Sequence, residues 1–193
     1  IGRNEAVGGC LNLARELWFY TDGSCEVPLP AGVPLRVQVT KGPDYPPLDE
    51  TVTLGAGQIT LRLVIERWAC AVGSGWVSVD MRSHFLTPHD ALLEGAAEGI
   101  DVVNLLATAQ RYPALDGTAY LTVPNLTAFS GQTAALERDG TAVIVNTLNV
   151  HPVLGKVGLL HSHRPVFPLT FGGEETDDWG ICDWCDQCHR KKG

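Results

Sequence analysis

Alternation of apolar and polar residues predicts β-strands in the first third of the chain. Leu35–Thr40 alternates in the manner of a half-buried strand, and Glu50–Leu54 and Ile59–Ile65 repeat the pattern. Turn-forming residues separate the runs, as at Gly55-Ala56-Gly57. This pattern predicts a small antiparallel β-sandwich over residues 1–72.

The period changes after Trp76, where a strand–helix–strand pattern begins. Pro88–Gly99 has the spacing of a helix, with Thr87 as a candidate N-cap and Gly99 placed to end it. Ile100–Leu106 is mostly apolar, as is typical of a strand buried on both faces of a parallel sheet. This order predicts a βαβ unit. The later predicted elements are strands at Thr141–Thr147 and Val157–Leu160 and a helix at Trp179–Lys192.

The predicted fold class is therefore α+β overall, a sandwich followed by an α/β domain over residues 73–193. A parallel strand should follow the last helix, but the sequence ends at Lys191-Lys192-Gly193. It also begins with Ile1 rather than Met. We expect a truncated second domain, with its C-terminal remainder missing and a secreted or periplasmic origin favoured.

Composition narrows the classes of protein to consider. The chain has 193 residues, of which 45% are hydrophobic and 19% charged, so it can bury a core. The formal net charge of −8 makes nucleic acid a poor candidate partner, because no broad positive field attracts phosphates. No stretch approaches the ~20 apolar residues that a membrane span needs.

Several motifs occur in an order that suggests a family. The first is Gly75-Trp76-x-x-x-Asp80-x-Arg82-x-His84, the second is Ala96–Val102, and the third is Gly155–Leu160. Together with the sandwich pattern they resemble the CehA/McbA-like branch of PHP-domain metallohydrolases. The resemblance implies a carboxypeptidase-regulatory-like β-sandwich over 1–72 and the first part of a PHP-like (β/α) barrel over 73–193. It also implies a phosphoesterase-like hydrolase with a divalent metal, zinc or manganese, acting on an ester substrate.

The metal motif departs from the family pattern. Where the resemblance implies His-x-His, the chain reads Arg82-Ser83-His84, and arginine cannot ligate a metal. The Thr-Asp-His expected after the second barrel strand is absent, and Lys156 replaces another histidine. The candidate metal ligands that remain are Asp80, His84, His161 and His163, with His151 as a further possibility. We therefore expect an eroded site and a weak or inactive hydrolase.

The His161-Ser162-His163 motif allows two interpretations, and so do the cationic residues near it and at the strand ends. Residues two apart on a strand face the same side, so the histidines suit a metal pair, but Pro165 favours surface or loop histidines. Arg82, Lys156 and Arg164 could line a pocket for a small anion, which would make the chain an anion- or carbohydrate-binding or structural pseudoenzyme. Alternatively, Arg82 and Lys156 pair with Asp80 and Asp101 or reach into solvent.

The last predicted helix carries a cysteine motif. Cys185-x-x-Cys188-His189 matches the attachment pattern of c-type haem, which would make the chain a haem protein. The position of the motif inside a helix, and a single distant methionine, Met81, weigh against haem. Four ligands including Cys182 could bind zinc or an iron–sulfur cluster, but Cys182 and Cys188 should diverge around a helix. Cysteines packed in the core are the simpler interpretation.

Overall fold

The computed structural model describes residues 7–68, 75–151, 153–169 and 180–190. Within them lie eleven β-strands and two α-helices, so the protein is a mixed α+β structure in which strands predominate. The predicted α+β class is confirmed at this level. The chain divides into two compact units, residues 1–78 with 93–101 and residues 79–92 with 102–193. The predicted boundary at 72/73 lies outside the described residues.

The first unit contains two antiparallel hairpins. Strands β1 (Val7–Leu13) and β2 (Glu16–Thr21) pair across a two-residue turn, while β3 (Pro34–Val39) and β4 (Leu48–Thr53) pair in regular register. A salt bridge of 2.6 Å between Arg36 and Asp49 crosses the second hairpin. The structure thus confirms two of the predicted strands, and the sandwich arrangement stays a prediction.

The third predicted strand, Ile59–Ile65, is wrong. This segment forms no strand ladder, and the Ile59 side chain is 97% exposed. The Gln58 side chain accepts a hydrogen bond from the Gly55 backbone N–H at 3.1 Å and donates to the Thr60 carbonyl at 3.2 Å. Alternation of apolar and polar residues is insufficient to form a strand, because a strand also needs a neighbouring strand edge to pair with its backbone hydrogen-bonding groups.

Helix α1 (Pro88–Glu98) begins and ends where its sequence predicts. Thr87 Oγ1 accepts a hydrogen bond from the Asp90 N–H at 3.2 Å and donates to the Asp90 carboxylate at 2.7 Å, so Thr87 caps the first turn of the helix. At the other end Gly99 has φ +71°, and the Ile100 N–H donates to the Gly95 carbonyl at 2.8 Å. The predicted cap and stop are both confirmed.

The second unit is built on a sheet whose order is β11-β10-β6-β5. Its parallel members are β5 (Val79–Ser83), β6 (Val102–Thr108) and β10 (Thr141–His151), and α1 lies between the first two in sequence. Strands β9 (Leu136–Arg138) and β11 (Gly155–Leu159) pair antiparallel with β10. The predicted βαβ unit and both later strands are confirmed.

Between β6 and β9 the chain forms a separate hairpin, β7 (Gln110–Pro113) with β8 (Ala119–Thr122), and one 3-10 turn, Leu126–Ala128. The last described element is helix α2 (Ile181–Arg190), which confirms the predicted C-terminal helix. Neither helix in the described ranges is long and apolar enough to cross a membrane.

Core side chains lie on both faces of the sheet in the second unit. On one face the odd-numbered residues from Val103 to Ala107 of β6 and from Val143 to Asn149 of β10 are buried, because alternate side chains of a strand share a face. Leu106 and Leu148 are buried on the other face. Trp184 and Cys188 of α2 pack in a cluster with Leu159 of β11 and Val166 of the following loop. The even-numbered face carries the polar groups described below.

Gly42 should be the least replaceable glycine of the first unit. Its φ is +52°, and a Cβ there would lie 2.0 Å from the backbone oxygen of Glu98. We expect Gly42→Ala to lower the free energy of unfolding by about 2–4 kcal/mol, measured by urea denaturation. Gly57→Ala is the control, since Gly57 has φ +80° but a Cβ there would meet no atom within 4 Å. That variant should lose only about 1–2 kcal/mol. Equal losses would contradict the steric explanation.

Tyr20 should ionise at unusually high pH. Burial, the hydrogen bond that its hydroxyl donates to Glu98 at 2.9 Å, and the charges of Glu98 and Glu94 raise its pKa from 10.0 to about 12. Because the folded value exceeds the unfolded one, this stabilisation is complete below pH 10 and disappears as the pH rises toward 12. A spectrophotometric titration should show one late tyrosinate that Tyr20→Phe removes. A wild-type titration complete near pH 10 would contradict this.

Candidate functional site

The candidate site begins at the carboxyl end of β5. The strand register shifts between Asp80 and Ser83, so the chain bulges at the motif. Asp80 Oδ1 accepts a hydrogen bond of 2.9 Å from the Arg82 backbone N–H inside this bulge. The Asp80 carboxylate therefore has a structural role in shaping the strand end.

His84 and Phe85 follow the bulge directly. The His84 Nδ1 atom is buried and has no hydrogen-bond partner among the described residues. Its ring makes an edge contact with Phe85, with centroids 4.4 Å apart. Phe85 has φ +71° and is 71% exposed, an unfavourable conformation and environment for an aromatic residue. An unpaired imidazole atom beside backbone strain is typical of a functional position.

A chain of polar contacts crosses the sheet on the same face as Met81. Asn104 of β6 donates to Met81 Sδ at 3.7 Å and accepts from the Asn146 side chain at 3.2 Å. Asn146 of β10 in turn accepts a 3.0 Å hydrogen bond from the His161 backbone N–H. The His161 carbonyl accepts from the Gln132 side chain at 3.2 Å. This network joins three parallel strands to two loops.

The asparagines of this network were missed by sequence reasoning, although a signal was present. Asn104 and Asn146 each interrupt an apolar run that was predicted to be a buried strand. A polar group in a buried strand must find a hydrogen-bond partner, so each asparagine predicts a buried contact. The identity of the partner depends on strand register, which the sequence does not show.

His161 and His163 lie in the turn after β11, not on a strand. His161 has φ +59°, both imidazoles are exposed, and Ser162 between them is buried. The spacing therefore does not create the strand-borne metal pair considered above, and the loop interpretation is confirmed. Ser162 Oγ instead lies 3.0 Å from Cys188 Sγ, which attaches the turn to α2.

His151 is engaged in the hairpin between β10 and β11. Its Nδ1 atom accepts hydrogen bonds from the backbone N–H groups of Val153 and Leu154 at 3.0 and 2.8 Å. An imidazole nitrogen that accepts two backbone hydrogen bonds organises the turn. This role in the turn accounts for a histidine at position 151 without a bound metal.

The predicted metal ligands do not come together. Across residues 7–68, 75–151, 153–169 and 180–190, no three His, Cys, Asp or Glu side chains are grouped closely enough to hold one ion. Among these residues Asp80 is engaged in the bulge at Arg82, and His161 lies in a turn with φ +59°. The described residues therefore show no built site for the divalent metal that the resemblance implies, and the set Asp80, His84, His161 and His163 stays a prediction.

The cations at the strand ends are exposed but separated. Arg82 lies on β5 and Lys156 on β11, at opposite ends of the sheet order. Three strand spacings and about five residues along the strands separate them, roughly 20 Å along the sheet. Arg82 and Lys156 therefore cannot contact one small anion together. Arg164 is exposed in the loop after β11.

The alternative ion pairs of these cations are also constrained. Asp80, Arg82 and Lys156 all lie in described parts of the second unit, and no ion pair joins Asp80 to either cation there. Asp101 accepts hydrogen bonds from the backbone and hydroxyl of Ser78, at 2.7 and 2.9 Å. The side chains of Arg82 and Lys156 are both exposed to solvent.

The cysteines of α2 differ in their surroundings. Cys182 is exposed, Cys185 is half-buried and Cys188 is buried, and all three are free thiols. Exposed Cys182 and buried Cys188 therefore lie on different sides of the helix, as their spacing predicts. Thioether attachment of haem at Cys185 and Cys188, with His189 as ligand, would require Cys188 to leave its core cluster.

Comparison with family models, with curated proteins and with solved structures finds no match to this chain. Its function is therefore inferred from its own residues and their geometry.

The network should show strong coupling between its two asparagines. Asn146→Ala leaves the Asn104 side-chain oxygen and the His161 N–H without their partner, at an expected cost of about 2–3 kcal/mol in unfolding free energy. A double-mutant cycle with Asn104→Ala should give a coupling of about 0.5–1.5 kcal/mol by chemical denaturation.

Asn149→Ala is the matched control for this cycle. Asn149 is equally buried on β10, but its amide donates to the carbonyls of Val166 and Pro168 on the opposite face. Its effect should add to that of Asn104→Ala within about 0.5 kcal/mol. Equal coupling in the two cycles would contradict a specific Asn104–Asn146 interaction.

Proposed function

We propose that this chain is a PHP-like module of hydrolase descent that acts by binding, as a pseudoenzyme, and not by hydrolysis. The order of its motifs supports the descent, as does the β5–α1–β6 unit with the motif at the end of β5. The finer architecture, a regulatory-like sandwich before a PHP-like barrel, is part of this proposal.

The observation that carries the proposal is the use of candidate metal ligands for backbone hydrogen bonds. Asp80 Oδ1 stabilises the bulge at Arg82, and His151 Nδ1 stabilises the turn at Val153 and Leu154. A metal bound through either atom would have to displace these bonds, and ligands need orienting partners rather than competing ones. A module whose Asp80 and His151 side chains stabilise the backbone is suited to binding a ligand and not to metal-dependent hydrolysis.

The buried polar network supports a rigid scaffold. Asn104 and Asn146 are buried and hydrogen-bond to each other between neighbouring parallel strands. Hydrogen-bonded buried amides hold strands in one register. Neither amide is a residue that transfers protons, so the pair supports a scaffold for binding.

One observation favours a second candidate, a metal-dependent hydrolase. His84 Nδ1 is buried with no described partner, which is the state of an imidazole that awaits a ligand. In this alternative His84 supplies one ligand, and an ester substrate would be hydrolysed. His84→Ala distinguishes the two candidates.

The thermal response to metals tests the proposed function. We expect the same Tm in EDTA and in excess Zn²⁺ or Mn²⁺, because a cation without a built site cannot stabilise the folded state. Binding at a hundred times Kd would add about 2.7 kcal/mol to the unfolding free energy, an easily measured shift. His84→Ala should leave the metal response unchanged.

A rise in Tm with Zn²⁺ or Mn²⁺ that His84→Ala abolishes would overturn the proposal in favour of the hydrolase. Phosphodiester and carboxylic ester substrates, assayed with the metal present, then provide the second readout. Hydrolysis that depends on His84 would have the same consequence.

A further inference from the structure

The β7–β8 hairpin is a largely exposed part of the second unit. It directly follows β6, so it leaves the carboxyl edge of the parallel sheet. From Arg111 to Leu121 nearly every residue is exposed, on both faces of the ribbon. A two-stranded hairpin exposed on both faces gains little from burial, and its side chains need another explanation.

One face of this hairpin carries two stacked tyrosines. Tyr112 and Tyr120 are directly opposite in the register, and their rings are nearly parallel, with centroids 5.7 Å apart and planes 22° from each other. They are 40% and 54% exposed, so the pair contributes to the surface and not to a core. Tyrosine offers a rigid, amphipathic contact at a small cost in conformational entropy.

Hydrogen-bonding groups flank the rings on the same face. Gln110 is paired with Thr122, so an amide and a hydroxyl lie one pleat away from the tyrosines. The Tyr112 hydroxyl donates a short hydrogen bond to Gln110 Oε1, which holds the amide beside the ring. None of the four side chains carries a formal charge.

The turn keeps the two strands in register. Asp116 Oδ1 accepts hydrogen bonds from the Thr118 hydroxyl at 2.6 Å and from its backbone N–H at 2.9 Å. These bonds, the hydroxyl first, hold the pKa of Asp116 below its usual range. Gly117 supplies the φ of +83° that the turn requires. The tyrosine face is therefore preorganised, which lowers the entropic cost of binding.

We infer that the face formed by Gln110, Tyr112, Tyr120 and Thr122 binds a neutral saccharide chain. Apolar ring faces with a few placed amide and hydroxyl groups match a sugar, whose ring carries C–H groups on its faces and hydroxyls on its rim. The net charge of −8 disfavours polyuronates and nucleic acids, which also stack on aromatic side chains. The inference rests on the proposed binding function and names its ligand class.

Affinity electrophoresis of the whole chain tests the inference. Native gels contain a soluble cellulose derivative, xylan, galactomannan or starch, with polygalacturonate as the anionic comparison. We expect retardation by at least one neutral polysaccharide and none by polygalacturonate. Calorimetry with a hexasaccharide of the retarding polymer then gives Kd.

Variants locate the ligand on one face. Tyr112→Ala and Tyr120→Ala should each weaken binding about tenfold or more, whereas Tyr120→Phe keeps the ring and should stay within about twofold. Leu121→Ser is the matched control, because Leu121 is 56% exposed on the same strand but points to the opposite face. This variant should bind normally.

Three results would overturn the inference: no retardation by any neutral polysaccharide, retardation that Tyr120→Ala leaves unchanged, or an equal loss in Leu121→Ser. The third would indicate a protein partner on the other face or a hairpin that needs its apolar residues. If the saccharide test fails and the Tm does not respond to metals, the saccharide inference is wrong while the proposed function stands. A metal response that depends on His84 would remove the proposed function instead.

Discussion

The side-chain amide of Asn146 connects two neighbouring strands and a loop of the second unit. It donates to Asn104 on the neighbouring parallel strand and accepts from the backbone of His161, beyond the antiparallel strand. Because buried amides are costly when unpaired, this contact ties the register of β6 and β10 to the position of the loop after β11. The loop places Ser162 against Cys188 of α2, so the same contact also orders the helix side of the sheet.

Backbone hydrogen bonds account for two polar residues of the second unit that the sequence suggests as metal ligands. A bulge at Arg82 needs an acceptor for a backbone N–H, and Asp80 provides it. The turn at Val153 needs an acceptor as well, and His151 provides that one. Both side chains therefore stabilise the backbone next to them.

Much of the local structure was predictable, and the candidate site was predictable only in part. Helix α1 was predicted from Thr87 and Gly99, and β6 from the apolar run after Ile100. Caps and periodicity involve neighbours in sequence, so they can be identified without the fold. The strand prediction at Ile59–Ile65 failed because no adjacent edge pairs with it. His84 was identified from its motif, whereas the exposed tyrosine pair of β7–β8 carried no motif and became visible only through cross-strand pairing.

The amino-acid sequence by itself determined the Thr87 cap of α1, its Gly99 stop, and the divergence of the α2 cysteines, because these follow from interactions within a few residues. Tertiary structure alone decided which distant side chains meet. It placed Arg82 and Lys156 at opposite ends of the sheet order, and within the described residues it brings no three candidate metal ligands together. It also joined Asn104 to Asn146. Strand order and register set these distances, and both depend on backbone pairing between segments far apart in the chain.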